Sequence, residues 1–137
     1  MRTLLNLALS FSTLLPLAAQ DSSPRKLISS VDGKDLFVAY CASCHGMAGR
    51  GDGPVSSVLK AKLPDLSTLA ARRGGKFPVA DLEKMIMGET TSQAAHGTRE
   101  MPVWGPVFRR VEDDKDLGLV RVRRLVEYIQ SLSKTKR

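Results

Sequence analysis

Apolar positions along this chain recur mainly at helical spacing, and no run alternates apolar with polar residues between hairpin turns. A mostly apolar stretch runs from Leu4 to Leu17, and a polar segment with Ser22, Ser23 and Pro24 extends from Gln20 to about Ser30. Asp32 is then a good N-cap for a helix in which Leu36, Phe37 and Tyr40, at i, i+1 and i+4, form one apolar stripe. That helix cannot pass 46–54, where Gly46, Gly49, Gly51, Gly53 and Pro54 crowd into nine residues. A short helix is predicted over Val55–Lys60. Another is predicted over Val79–Met87, with Leu82, Met85 and Ile86 inward and Gly88 as its stop. The last helix is the clearest. Asp113 or Asp114 can cap it, and Asp116 suits the positive end of its dipole. Leu125, Tyr128, Ile129 and Leu132 mark its buried stripe, with Lys134, Lys136 and Arg137 at the basic end. The pattern predicts an all-α fold.

The first apolar stretch follows Arg2, is broken by Asn6, Ser10, Ser12, Thr13 and Pro16, and leads into Leu17-Ala18-Ala19. A charged start, a short apolar run and small residues describe a secretory signal peptide, residues 1–19, cleaved after Ala19. The run is short for a membrane span, and an uncleaved anchor is the alternative. The expected organisation is therefore a signal peptide over 1–19, a flexible lead-in over 20–31, one domain over 32–134 and a basic tail over 135–137. No internal repeat suggests a second domain.

Inside the first predicted helix lies Cys41-Ala42-Ser43-Cys44-His45. This C-x-x-C-H pattern is that of covalent haem attachment: the two thiols can each add to a vinyl group, and the histidine becomes the proximal iron ligand. A thioredoxin-type pair would need a βαβ context, which the helical and Gly-rich flanks do not offer. A structural zinc site would need further Cys or His ligands, but there is no third cysteine and the only other histidine is His96. A disulfide between cysteines this close would constrain little. A buried porphyrin also suits a chain with only 5% aromatic residues, because it can serve as the core's central ring.

Haem iron takes a second axial ligand, and the candidates are His96, Met47, Met85, Met87 and Met101. Met47 is too near His45 to reach the opposite face. Met85 and Met87 lie on an amphipathic helix, where methionine usually fills core. Met101 precedes Pro102, which biases it toward an extended backbone and lets its thioether project from an irregular loop. Such a soft, weak ligand benefits from a rigid support.

Together these residues resemble a class I monohaem cytochrome c of bacterial type, over Gly33 to Leu132. In that family a glycine and an aromatic precede the first haem cysteine by eight and four residues, as Gly33 and Phe37 do here. A second aromatic sits on the C-terminal helix, matching Tyr128. The Gly49-x-Gly51-Asp52-Gly53-Pro54 loop and Met101-Pro102-Val103-Trp104-Gly105 also have counterparts there. The resemblance implies about four helices around one covalently bound haem c, with crossed N- and C-terminal helices meeting at Gly33 and Phe37–Tyr128. It implies Cys41 and Cys44 as the attachment points, His45 as proximal and Met101 as distal iron ligand. It favours Met101 over His96, which sits in a polar, turn-like setting and would give a lower-potential bis-His site. It also suggests the Pro54 carbonyl as acceptor for the other ring N–H of His45, the alternative being that Pro54 only ends the loop. Trp104 is either packed on the haem with its N–H toward a propionate or a plain core residue.

An iron with both axial positions filled changes by one electron without rearranging its ligands, and methionine ligation raises its potential. The expected function is a one-electron carrier between exported or membrane-bound redox proteins, and not an enzyme. The alternatives are a dedicated haem subunit of a periplasmic dehydrogenase or oxidase complex, and a peroxidase or gas sensor with a labile Met101. Haem c attachment occurs outside the cytoplasm in this family, so the expected location is periplasmic or otherwise exported. The net charge is +7, or +6 without Arg2. Clusters at Arg72, Arg73 and Lys76, at Arg109 and Arg110, and at Arg121, Arg123 and Arg124 suggest acidic docking surfaces on redox partners. Arg72, Arg73 or Arg109 could instead neutralise haem propionates. No nucleic-acid motif accompanies the charge, and no span would remain after signal cleavage.

Overall fold

Asp32 opens the first helix, α1 (Gly33–Tyr40), as its spacing predicts: the carboxylate accepts from the backbone N–H groups of Lys34 at 2.9 Å and Asp35 at 3.0 Å. The computed structural model describes residues 28–89, 101–111 and 115–134. The predicted run into the cysteine motif is present but breaks at Cys41 and resumes as the single turn α2 (Ala42–His45). Helix α3 (Val79–Met87) has the predicted bounds, and Gly88 closes it at φ 80°, where its N–H reaches the Lys84 and Met85 carbonyls. Helix α4 spans Gly105–Arg110 and α5 spans Lys115–Lys134. One 3₁₀ turn, Ser56–Val58, lies within the helix predicted for Val55–Lys60, and two more follow at Leu66–Thr68 and Ala71–Arg73. No strand occurs among the described residues, and the fold is all-α.

The described residues form five α-helices, and α4 is the one that sequence reading missed. Gly105-Pro106 resembles loop punctuation, yet proline's fixed φ suits a helix's first turn. Burial is what holds so short a helix: Phe108 is fully enclosed.

Helices α1 and α5 cross closely, as expected. The crossing depends on Gly33, because a methyl group there would collide with the Arg124 backbone carbonyl. One turn on, the Phe37 and Tyr128 rings meet at 5.4 Å and 53°. Leu36, Val122, Leu125, Val126 and Ile129 fill the remaining core between these helices and α4.

One basic cluster is only in part the surface patch that the sequence suggests, since Arg123 and Arg124 are exposed but Arg121 is not. Arg121 is fully buried, and its guanidinium donates to the carbonyls of Ser29, Ser30 and Phe108. Arg124 pairs with Glu127 at 3.0 Å, and Arg123 lies 4.0 Å from Glu83. The last residues of the expected lead-in, 28–30, are likewise tied to the fold, with the Ile28 N–H donating to the Tyr40 hydroxyl at 2.9 Å. The signal segment, His96, Asp113, Asp114, Lys136 and Arg137 lie outside the described residues.

Candidate functional site

A four-residue helix such as α2 has little stability of its own, since its carbonyls have almost no helix to bond within. Here the following loop turns back and supplies the donors. The N–H of Val55 reaches the Ser43 carbonyl at 3.0 Å, that of Gly53 reaches Cys44 at 3.1 Å, and that of Gly51 reaches His45 at 2.8 Å. The reversal needs glycine. Gly46, Gly49 and Gly51 have φ of 74°, 69° and 78°, and a side chain on Gly53 would strike the Ala42 and Ser43 carbonyls. The Gly-rich loop therefore clamps the backbone that carries both cysteines and His45.

The thiols differ in environment. Cys41 is buried, and its pKa is pushed up to about 12, first by burial and then by neighbouring Cys44, so the free thiol stays protonated. Burial lowers the His45 pKa, which favours the neutral imidazole, the form that has a lone pair to give. The Nδ1 atom of His45 is buried without a hydrogen-bond partner. The suggested bond to the Pro54 carbonyl is therefore not made in this structure, and exposed Pro54 lines a groove on the outer side of α2.

Cys41, Cys44 and His45 open into a cavity of about 180 Å³ whose wall also contains Tyr40, Leu59, Leu63, Met101, Pro102 and Trp104. The structure thus brings together both thiols, the imidazole, the Met101 segment and Trp104, from positions sixty residues apart in the chain. The other described methionines stand elsewhere. Met47 is exposed in the outer groove beside Pro54, Met87 lines a groove between α3 and α5, and Met85 packs on the core. A hollow of about 620 Å³ against α1 is lined by no sulfur or imidazole among the described residues. Sequence reading missed Leu59 and Leu63, which flank Lys60-Ala61-Lys62 in an irregular segment and so carry no periodic signal. It also placed Tyr40 only on a helix stripe, whereas its ring meets Trp104 at 5.3 Å and Phe108 at 5.4 Å.

This donor set fits an iron porphyrin. Cys41, Cys44, His45 and Met101 line one mostly apolar cavity, and the buried His45 Nδ1, which has no described partner, is costly in the protein alone. A family model described as cytochrome c matches residues 30–133. The chain belongs to the cytochrome c family. Cytochromes c hold haem c covalently, typically one per domain, and act as haem-based electron carriers, generally transferring electrons with redox partners without turning over a substrate. Comparison with curated proteins and with solved structures gives no match. No described helix is long and apolar enough to cross a membrane.

Proposed function

We propose that this cytochrome c is a one-electron carrier of the class I, His–Met type from a bacterium, exported after loss of residues 1–19. Its haem is joined to Cys41 and Cys44 and ligated axially by His45 and Met101. The observation that carries this reading is the convergence of these four residues on one cavity, where Met101 is the only described methionine. The bound haem iron supplies a one-electron couple, whose potential methionine ligation raises.

The chain's residues do the rest. The Gly-rich clamp fixes the His45 backbone, and burial keeps its ring neutral. Tyr40, Leu59, Leu63 and Trp104 give the cavity a mostly apolar wall, which favours a fixed ligand set across both oxidation states. Exposed Lys60 and Lys62 flank two wall residues and give the cavity a basic border suited to an acidic redox partner. The proposed organisation is a signal peptide over 1–19, a lead-in over 20–31, the haem domain over 32–134 and a tail over 135–137.

The test is expression with a cytochrome c maturation system and export. Haem should stay with the chain through acid–acetone extraction and a denaturing gel. Cys41→Ala or Cys44→Ala should leave one thioether, and the double substitution none. A colourless or zinc-loaded product would overturn the reading.

A further inference from the structure

Arg121 sits in the first half of α5 with no exposed surface, where an aliphatic residue would pack at lower cost. Its three donor nitrogens reach two distant parts of the chain. Nη1 donates to the Phe108 carbonyl at 3.3 Å, Nη2 to the Ser29 carbonyl at 3.1 Å and Nε to the Ser30 carbonyl at 3.3 Å. The Phe108 carbonyl lies near the end of α4, where a helix has no internal donors left to offer. The strap at 28–30 is held at its other end by the Ile28 N–H on the Tyr40 hydroxyl.

The connection closes through rings. Tyr40 touches both Trp104 and Phe108, and Trp104 stacks on Phe108 at 6.1 Å and 20°. Tyr40 and Trp104 are also cavity wall, beside Met101 and Pro102. On the opposite side the backbone is fastened to α3: the Trp104 N–H reaches the Ile86 carbonyl at 3.0 Å, and Gly105 packs too closely on Met87 for a side chain. The Met101 segment is therefore held by α3 through its backbone and by the ring cluster through its side chains.

We infer that Arg121 is a positioning residue for this distal wall, joining α4 to the N-terminal strap and thereby fixing the rings against which the Met101 segment rests. The inference depends on Met101 being the distal ligand as proposed above. A thioether is a weak ligand, so its hold on iron depends on how firmly the wall keeps it in place. Without Arg121 the Phe108 and strap carbonyls lose charge-assisted donors and the cluster can loosen.

The experiment compares oxidised and reduced holoprotein of the wild type, Arg121→Met, Arg121→Lys, Tyr40→Phe and, as a control, Arg124→Met. The readouts are the far-red band of a Met-sulfur-to-ferric-iron bond, the reduction potential and the rate of carbon monoxide binding. Arg121→Met should weaken the band, lower the potential and speed carbon monoxide binding by about tenfold, the effect of losing a charge-assisted hydrogen bond. Tyr40→Phe should shift all three the same way by less, Arg121→Lys should recover part of the loss, and Arg124→Met should match the wild type. If Arg121→Met unfolds more easily but keeps the wild-type band, potential and rate, Arg121 is only structural and the inference is overturned. If Arg121→Met does not accumulate, wild-type behaviour in both Arg121→Lys and Tyr40→Phe overturns it equally. A wild type without the band instead refutes the ligand assignment, and this role with it.

Discussion

His45 lines the cavity from a backbone held by the loop that follows it, and its buried Nδ1 has no hydrogen-bond partner among the described residues. A neutral, oriented imidazole is what an iron ligand requires, and burial favours that state by disfavouring the protonated ring. His45→Ala should therefore leave haem attachable through both thiols while removing the proximal ligand. The expected product is a coloured protein that retains haem on a denaturing gel but has lost its six-coordinate spectrum. The motif marked His45 and both cysteines as candidates from sequence alone, and the structure places all three on one cavity. Residues brought to the same cavity by tertiary packing were less legible. Leu59, Leu63 and Tyr40 share the wall with the motif, but a helical stripe does not say which cavity Tyr40 faces, and Leu59 and Leu63 lie in irregular backbone with no periodicity to read.

At the scale of elements, two close approaches carry predictions. Gly33→Ala would drive a methyl group into the Arg124 carbonyl, which is backbone and cannot rotate aside. Denaturant unfolding of the holoprotein should show a loss of about 1–3 kcal/mol, the usual cost of forcing extra volume into a packed contact. Gly53→Ala strikes the carbonyls of Ala42 and Ser43 instead, in the clamp that holds α2. Its main effect should be a lower ratio of haem to protein after maturation, measured by absorbance against total protein. Helices α1 and α3 were readable because each combines an apolar stripe with a cap or stop residue, and α5 because of its long apolar stripe. Helix α4 was hidden by Gly105-Pro106 and depends on Phe108, whose burial only the assembled core reveals. Phe108→Ala should thus destabilise the whole protein by about 3–5 kcal/mol, as for other large aromatic deletions in cores.

At the scale of the whole molecule, charge counted along the sequence overstates the charge available at the surface. Arg121 is buried, Arg73 pairs with Asp81 at 3.0 Å, Arg124 pairs with Glu127, Arg72 donates to the Asp65 carbonyl and Arg123 lies 4.0 Å from Glu83, so several of the clustered cations are engaged. Lys60 and Lys62 remain exposed beside the cavity wall. Electron exchange with an anionic inorganic oxidant such as hexacyanoferrate should slow as salt rises from about 0.01 M to 0.15 M, because the screening length contracts from roughly 30 Å to 8 Å. Lys60→Glu with Lys62→Glu should flatten that salt dependence, as read by stopped-flow rates. An unchanged slope would place the docking charge elsewhere on the molecule.

The ligand pair is the claim on which the rest depends, and the spectrum of the oxidised, exported holoprotein tests it most directly when wild type, Met101→Ala and His96→Ala are compared. The account predicts a weak far-red sulfur-to-iron band in the wild type, its loss in Met101→Ala with a lower potential, and its persistence in His96→Ala. A six-coordinate spectrum that survives Met101→Ala but collapses in His96→Ala would contradict it, and would make the protein a low-potential bis-His cytochrome.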